Sequence, residues 1–88
     1  MLLALDIGNT NITLGRLAAD RVLGSRRAAT HPRATVDELE VALGELLALD
    51  QADLDDVDEI VLASVVPAVT ATVSELAARR TAVPLRAR

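Results

Sequence analysis

The stretch Asp6-Ile7-Gly8-Asn9-Thr10-Asn11 joins two segments that have the composition of β-strands. The apolar run Met1–Leu5 precedes it, and Ile12–Leu17, in which apolar and polar residues alternate, follows it. A strand, a short polar turn and a second strand predict a β-hairpin. Such a turn needs only two residues that tolerate positive φ, and Gly8 with Asn9 would supply them. The remaining polar residues of the turn are then not required for folding.

These surplus groups are chemically suited to a nucleotide phosphate with its metal ion. Gly8 lets the backbone approach an anion closely, and backbone N–H groups and the amide and hydroxyl side chains of Asn9, Thr10 and Asn11 can donate to phosphate oxygens. Asp6 fits as a ligand of Mg²⁺, directly or through water, because Mg²⁺ usually takes one or two carboxylates together with phosphates. An ordinary polar hairpin turn is the alternative interpretation.

The composition excludes several classes of site. Eighty-eight residues form one small domain at most. No cysteine is present, which rules out disulfides, zinc–thiolate sites and cysteine nucleophiles. All nine basic residues are arginine, so a Walker A loop and a protein-kinase phosphate lysine are both excluded. A net charge of −4 without any aromatic residue argues against nucleic-acid binding. No apolar run approaches the ~18 residues of a membrane span, so we expect a soluble, cytoplasmic protein.

The first half of the chain continues the sheet and then enters a helix. A turn at Ala19–Arg21 and a third strand, Val22–Ala29, would complete an antiparallel meander. Thr35 and Glu38 fit a capping box at the start of a helix. Apolar residues then recur at helical spacing and predict a helix that fades near Leu49.

The second half predicts a strand, a helix and a short closing strand. Ile60–Ala63 is apolar throughout, and so is Leu2–Leu5, so we expect both strands to be buried on two faces. Pro67 suits the first turn of the second helix. Thr81–Leu85 predicts the closing strand, with Pro84 at an edge or a strand end.

Other polar clusters favour ordinary structural interpretations. His31 is the only histidine, and we interpret it as a loop residue rather than a general base or substrate contact. Arg26, Arg27 and Arg33 could meet an anionic ligand, but solvated charge is the preferred interpretation. The segment 50–59 holds six carboxylates, and no glycine stands where an EF-hand calcium loop requires one. It predicts a solvated acidic linker.

Three motifs make the sequence resemble a known family. The Asp-x-Gly-Asn-Thr-Asn spelling of residues 6–11 is similar to the first phosphate motif of the actin and sugar-kinase superfamily, and within it to type III pantothenate kinases. Thr35-Val36-Asp37-Glu38 resembles the start of that family's first helix, and Ser64-Val65-Val66-Pro67 resembles its segment after the fourth strand. The order and spacing agree from Met1 to about Leu85. The resemblance covers only about the first third of such an enzyme.

The resemblance implies an α/β fold, the N-terminal half of an actin-like (ribonuclease H-like) ATPase domain. Its mixed sheet would consist of a three-strand antiparallel meander followed by parallel crossovers, and residues 1–88 would be one incomplete domain whose second half is missing. The fourth strand would lie parallel to and beside the first, so Asp6 and Ser64 would meet at adjacent carboxyl ends, where open α/β sheets bind ligands. A helix cap is the other, compatible interpretation of Ser64.

The resemblance also implies an activity, the ATP-dependent phosphorylation of pantothenate to 4'-phosphopantothenate, the first step of coenzyme A synthesis. It implies a homodimer, Mg²⁺ and a monovalent cation, K⁺ or NH₄⁺, whose ligand is not in this chain. The phosphate site would comprise eight consecutive residues: Asp6, Ile7, Gly8, Asn9, Thr10, Asn11, Ile12 and Thr13. Asp6 would also serve the metal, and Ser64 would contact the crevice.

The family's catalytic aspartate lies in a Gly-x-Asp-Arg motif, and that motif does not occur among the 88 residues. We therefore expect the chain alone to be inactive. Two alternatives are open: another small-molecule kinase of the same superfamily, and a non-catalytic half-domain that acts as a dimerisation or regulatory module.

Overall fold

A computed structural model describes residues 1–80 and 83–88. Five strands and two helices form a two-layer α/β unit. In chain order the elements are β1 (Leu2–Ile7), β2 (Asn11–Ala18), β3 (Arg21–Ala29), α1 (Val36–Ala48), β4 (Glu59–Ser64), α2 (Pro67–Arg79) and β5 (Leu85–Ala87). A short 3₁₀ turn, Leu54–Asp56, precedes β4. Neither helix in these residues has the length and apolar character needed to cross a membrane.

The sheet is mixed, with the strand order β3-β2-β1-β4-β5. The meander β1–β2–β3 is antiparallel, whereas β4 pairs in parallel with β1 on one side and with β5 on the other. Two crossovers connect parallel strands, β3–α1–β4 and β4–α2–β5, and both advance across the sheet in the same direction. Because strand–helix–strand crossovers are right-handed, α1 and α2 lie on the same face. The predicted α/β class and mixed sheet are confirmed.

One face of the sheet and the inner sides of both helices form the core. Alternate residues of the central strands are buried against the helices: Leu3, Leu5, Ile7, Ile12, Leu14, Ile60 and Leu62. The helices contribute one apolar stripe each: Leu39, Leu43 and Leu47 from α1, and Val69, Val73, Leu76 and Ala77 from α2. The intervening Leu2, Ala4, Val61 and Ala63 are only partly buried. The prediction that β1 and β4 are buried on two faces is therefore wrong, because both helices cover a single face.

Helix α1 begins as predicted. The Thr35 side chain accepts from the Glu38 N–H (3.1 Å), and the Glu38 carboxylate accepts from the Thr35 N–H (2.9 Å). This backbone hydrogen bond is the main reason why the pKa of Glu38 lies below its ordinary value. The helix ends at Ala48, and Gln51 then adopts a positive φ of 60°. No glycine stands at that position, so the residue type does not indicate the left-handed conformation.

The acidic segment 50–59 is bound to the body, which corrects the interpretation as a solvated linker. All six carboxylates accept hydrogen bonds. Asp53 and Asp56 cap the 3₁₀ turn. Asp58 binds the amino terminus, and Glu59 binds Arg86. The remaining two, Asp50 and Asp55, bind arginines of β3 and of the end of α2, namely Arg26 and Arg80. Val57 is buried, and Leu54 packs against the core.

Arg26 is also not simply solvated. Its guanidinium donates two hydrogen bonds to the Asp50 carboxylate, one from Nε (3.1 Å) and one from a terminal nitrogen (2.9 Å). Arg16 approaches the same carboxylate at 3.7 Å. The hydrogen bond from Arg26 is the main reason why the pKa of Asp50 is held below its ordinary value. This pair ties the end of α1 to the meander.

The remaining strand boundaries differ from the predicted ones only in detail. The turn between β2 and β3 consists of Ala19 and Asp20, with Ala19 at φ 54°. A bulge in β3 interrupts the register opposite Arg16 and Leu17, next to Gly24, the kind of residue that often marks a bulge within a strand. The closing strand is Leu85–Ala87 rather than 81–85, and Thr81 and Ala82 of that prediction lie outside the described residues.

Shortening Leu43 should destabilise the chain by about 2–5 kcal/mol, because its side chain is fully packed between helix and sheet. The measurement is urea denaturation of Leu43→Ala followed by circular dichroism. Val41→Ala is the matched control, because Val41 belongs to the same helix and is 58% exposed. Equal losses of stability in the two variants would contradict the assigned buried face.

Stability should fall in acid as Asp50 is protonated. A carboxylate whose pKa is lowered on folding stabilises the native state above its ordinary value, which for Asp50 is 3.8, and loses that contribution as the pH falls through the lowered value. Asp50→Asn should therefore melt at a lower temperature than the parent near neutral pH. The difference between the two melting temperatures should become smaller below about pH 4. Glu75→Gln removes an exposed carboxylate of α2 and should keep the parent's pH profile. If the melting temperatures of Asp50→Asn and the parent differed by the same amount at every pH, the ion pair would not be the cause of the loss of stability in acid.

Candidate functional site

The turn between β1 and β2 lies at the carboxyl end of β1, beside the end of β4. Asp6 is in register with Ala63 of β4, and Ile7 with Ser64. The two predicted site segments are thus brought side by side, although most of the chain separates them in sequence. Since β1 and β4 are parallel, this is the edge at which open α/β sheets form their ligand crevice.

The predicted hairpin is present, and a backbone hydrogen bond closes its turn. The Gly8 N–H donates to the Asn11 carbonyl (2.9 Å), which closes the loop. Neither Gly8 nor Asn9 has a positive φ, so the loop does not use the tolerance of positive φ that would suffice for a purely structural hairpin. Asn11 already belongs to β2, so the loop proper is residues 8–10. A Cβ at Gly8 would lie 3.4 Å from the Asn11 carbonyl oxygen, so glycine serves this close approach rather than left-handed backbone.

The ligand-capable groups of the loop point outward. Asn9, Thr10 and Asn11 are exposed. In the described part of the chain, the backbone N–H groups of Asn9 and Thr10 have no hydrogen-bond partner. An exposed loop with unpaired N–H donors, amides and a hydroxyl can donate several hydrogen bonds to one anion.

Asp6 supplies the negative charge of the site. Its side chain is exposed, and it has no hydrogen-bond or ion-pair partner among residues 1–80 and 83–88. It lies on the sheet face opposite the helices, where Thr13 is its partner on β2. No cluster of three or more metal-ligating side chains occurs in the described residues. A divalent cation held here would therefore use Asp6 together with oxygens of a ligand or water.

Of the other members of the predicted phosphate set, Ile7 and Ile12 support the loop from the core, and Thr13 lies on the open face of the sheet. Ile7 and Ile12 are buried in the core and pair with each other across the hairpin. The Ile7 carbonyl accepts from the Val65 N–H (3.0 Å), which fastens the end of β4 to the loop. Thr13 is half-buried beside Asp6. Ile7 and Ile12 thus frame the site from the core, whereas Thr13 lies next to Asp6 on the open face of the sheet.

Ser64 stands at the crevice but does not cap α2. The residue at the helix cap is Val66, with no side-chain hydrogen bond, so the helix-cap interpretation is wrong. The Ser64 hydroxyl accepts from the Val66 N–H (3.0 Å) and lies 3.2 Å from the Val66 carbonyl. It shapes the turn between β4 and α2, next to the exposed side chain of Val65.

Thr30, a residue that the sequence reasoning passed over, contacts the loop from the end of β3. Its hydroxyl donates to the Gly8 carbonyl (2.7 Å), and its N–H donates to the Thr10 carbonyl (2.8 Å). The available signal was weak: a hydroxyl residue directly after the third strand of a meander. Only the register of β2 against β3 places it there.

A groove of 480 Å³ opens on the helix side of the sheet, next to the loop but not at it. Its walls are mainly apolar and come from β2, the end of β3, and both helices; they include Ile12, Ala28, Leu39, Leu43 and Val69. His31 and Arg33 line its rim. His31 is an exposed loop residue, as predicted.

Known proteins are similar to this chain in sequence and in fold. The model of the type III pantothenate kinase family matches residues 2–87. The type III pantothenate kinase of Bifidobacterium longum subsp. infantis is 48% identical over 69 residues, which are 78% of this chain and 27% of that protein. That of Rubrobacter xylanophilus is 41% identical over 87 residues, 99% of this chain and 33% of that protein. The chain thus spans about a quarter to a third of the length of these relatives.

The fold is similar to that of a solved structure described as an uncharacterized protein with similarity to peptidase YEAZ from Pseudomonas aeruginosa. The TM-score is 0.68 at 26% sequence identity, over 99% of this chain and 42% of that one. The predicted fold, the N-terminal half of an actin-like (ribonuclease H-like) domain, is confirmed. Because the family model covers nearly every residue, the chain belongs to the type III pantothenate kinase family.

Proposed function

We propose that these residues form the ATP phosphate-binding part of a pantothenate kinase, which phosphorylates pantothenate to 4'-phosphopantothenate. The observation that carries the proposal is the loop at the crevice edge, with exposed donors and an unpaired Asp6 beside the end of β4. The names of the relatives support the substrate. Because ATP is the donor, the proposal places the reaction in the cytoplasm.

The residues present fit a polyphosphate with Mg²⁺. The loop N–H groups and the side chains of Asn9, Thr10 and Asn11 would donate to phosphate oxygens, and Asp6 would hold the ion directly or through water. Bound there, Mg²⁺ would neutralise part of the phosphate charge. A carboxylate facing phosphate without a cation would repel it, so Asp6 and the ion belong together in the proposal.

Phosphoryl transfer depends mostly on positioning and charge stabilisation. The acceptor hydroxyl oxygen forms a bond to the γ-phosphorus, the bond to the bridging oxygen of ADP breaks, and the hydroxyl proton passes to a base. We place that base outside these 88 residues, because they contain no Gly-x-Asp-Arg motif. The proposal likewise places the ligand of K⁺ or NH₄⁺, most of the pantothenate pocket and the homodimer in the longer family protein.

A chimera tests the proposed function. This chain replaces the matching first third of the Rubrobacter xylanophilus relative, and pantothenate-dependent ADP release is measured with MgATP and a potassium or ammonium salt. We expect activity from the chimera and none from the 88-residue chain alone. A folded chimera that is inactive while the relative is active would contradict the proposal.

The same assay separates the alternatives. Transfer by the chimera to other hydroxyl substrates but not to pantothenate would indicate a different small-molecule kinase. Activity of the chain alone would place the base within these residues. A stable oligomer of the chain that is indifferent to MgATP would favour a non-catalytic module.

Replacing Asp6 should weaken nucleotide binding without destabilising the fold. In Asp6→Asn we expect the affinity of the chain for ATP in the presence of Mg²⁺ to fall about tenfold, the effect of losing one charge-assisted interaction. The melting temperature without ligand should stay unchanged, because the side chain has no partner in the described residues. Titration calorimetry with and without Mg²⁺ measures the first effect. Asp20→Asn in the β2–β3 turn is the control, and a clear loss of stability in Asp6→Asn alone would show that Asp6 is structural.

A further inference from the structure

Thr30 holds the loop at two carbonyl groups that flank Asn9. The hydroxyl donates to Gly8 and the backbone N–H to Thr10, at 2.7 and 2.8 Å. Together with the bond from the Gly8 N–H to the Asn11 carbonyl, these contacts engage three of the loop's backbone groups. Thr30 directly follows β3 and is half-buried, and its hydroxyl reaches the loop from there.

The hydroxyl bond fixes the direction of one peptide unit. A trans peptide is planar, with its N–H and C=O on opposite sides. The peptide between Gly8 and Asn9 is trans, since the described residues contain no cis peptide. While Gly8 turns its carbonyl to Thr30, the Asn9 N–H must point away from Thr30. That N–H is one of the two loop donors without a partner in the described part of the chain.

Loss of the hydroxyl would free this peptide to rotate. The Gly8 carbonyl would then need another donor, such as water, and could turn its oxygen toward the ligand side of the loop. A carbonyl oxygen facing a phosphate oxygen is repulsive, whereas an N–H facing it is attractive. The other tether, from the Thr30 N–H to Thr10, is a backbone contact that survives substitution of the side chain.

We infer that Thr30 is a positioning residue for the polyphosphate: its hydroxyl orients the Gly8–Asn9 peptide so that the Asn9 N–H is presented to the ligand. The inference rests on the proposed function, because it needs a phosphate at the loop. The inference goes beyond the proposed function because it assigns the geometry of the loop to Thr30, at the end of β3. Thr30 lies outside the phosphate motif, and its side chain does not touch the ligand.

The test compares side chains that differ in the hydroxyl or in the methyl group. Thr30→Val removes the donor and keeps the shape, whereas Thr30→Ser keeps the donor. Thr72→Val is the matched control, because the Thr72 hydroxyl also donates to a backbone carbonyl, that of Ala68 (2.9 Å), within α2. The dissociation constant of the 88-residue chain for MgATP is measured by calorimetry, well below the lowest melting temperature of the set. The amide signals are followed by NMR during the same titration.

We expect Thr30→Val to bind MgATP about three- to tenfold more weakly, the usual effect of one hydrogen bond. Thr30→Ser and Thr72→Val should bind like the parent. The Asn9 amide should shift on titration in the parent and in Thr30→Ser, and less in Thr30→Val, while amides outside the loop stay alike in all variants. If Thr30→Val does not fold, Thr30→Ala supplies a donor-free side chain without the added methyl group.

The outcomes separate the inference from the function on which it rests. Equal affinity of the parent and Thr30→Val, or equal weakening in Thr30→Ser and Thr30→Val, would overturn the role of the hydroxyl and leave the proposed function standing. A parent chain that shows no MgATP binding would contradict the nucleotide site itself, and the inference with it.

Discussion

The parallel pairing of β1 with β4 determines where both helices and the candidate site lie. It brings the ends of two strands together that are far apart in sequence, with Asp6 beside Ala63 and Ile7 beside Ser64. It requires a crossover, and the right-handedness of that crossover places α1 on one face of the sheet. The second crossover advances in the same direction, so α2 joins α1 and a single core forms beneath both. The opposite face keeps Asp6 accessible, and the polar loop is left at the edge where a crevice forms.

Ion pairs complete this small body, which has no aromatic side chains with which to fill its core. Arg79 and Arg80 at the end of α2 bind carboxylates of α1 and of the 3₁₀ turn, including Asp37, Glu40 and Asp55. Arg26 and Arg16 from the meander approach Asp50 beyond α1. These pairs are partly exposed, where an individual ion pair contributes little free energy. Their effect is geometric, since they connect the end of α2 to α1 and to the 3₁₀ turn, and the segment after α1 to the meander.

Local chemistry was readable from the sequence, and contacts between distant segments were not. The capping box of α1, the apolar stripes of both helices, Pro67 in the first turn of α2 and the three-strand meander all follow from spacing and residue type, and they are confirmed. The family motif also gave the neighbourhood of Asp6 and Ser64. The two-faced burial of β1 failed because periodicity cannot tell which face a helix will cover. The contacts of Thr30 and the pairing of the acidic segment depend on strand register and on tertiary placement, which no single stretch encodes.

In the described part of the chain, the hydrogen bonds of residues 8–10 are made to Asn11 and Thr30, both within the first thirty residues. These hydrogen bonds therefore arise from hairpin closures between near neighbours in the chain, which carry a small loop-closure entropy. The other wall of the crevice is formed by β4, which follows α1 and the acidic segment in the chain. The candidate site therefore has two parts: the loop depends on local pairing, whereas the crevice depends on the longest-range strand pairing in the sheet, the kind of contact that forms slowly.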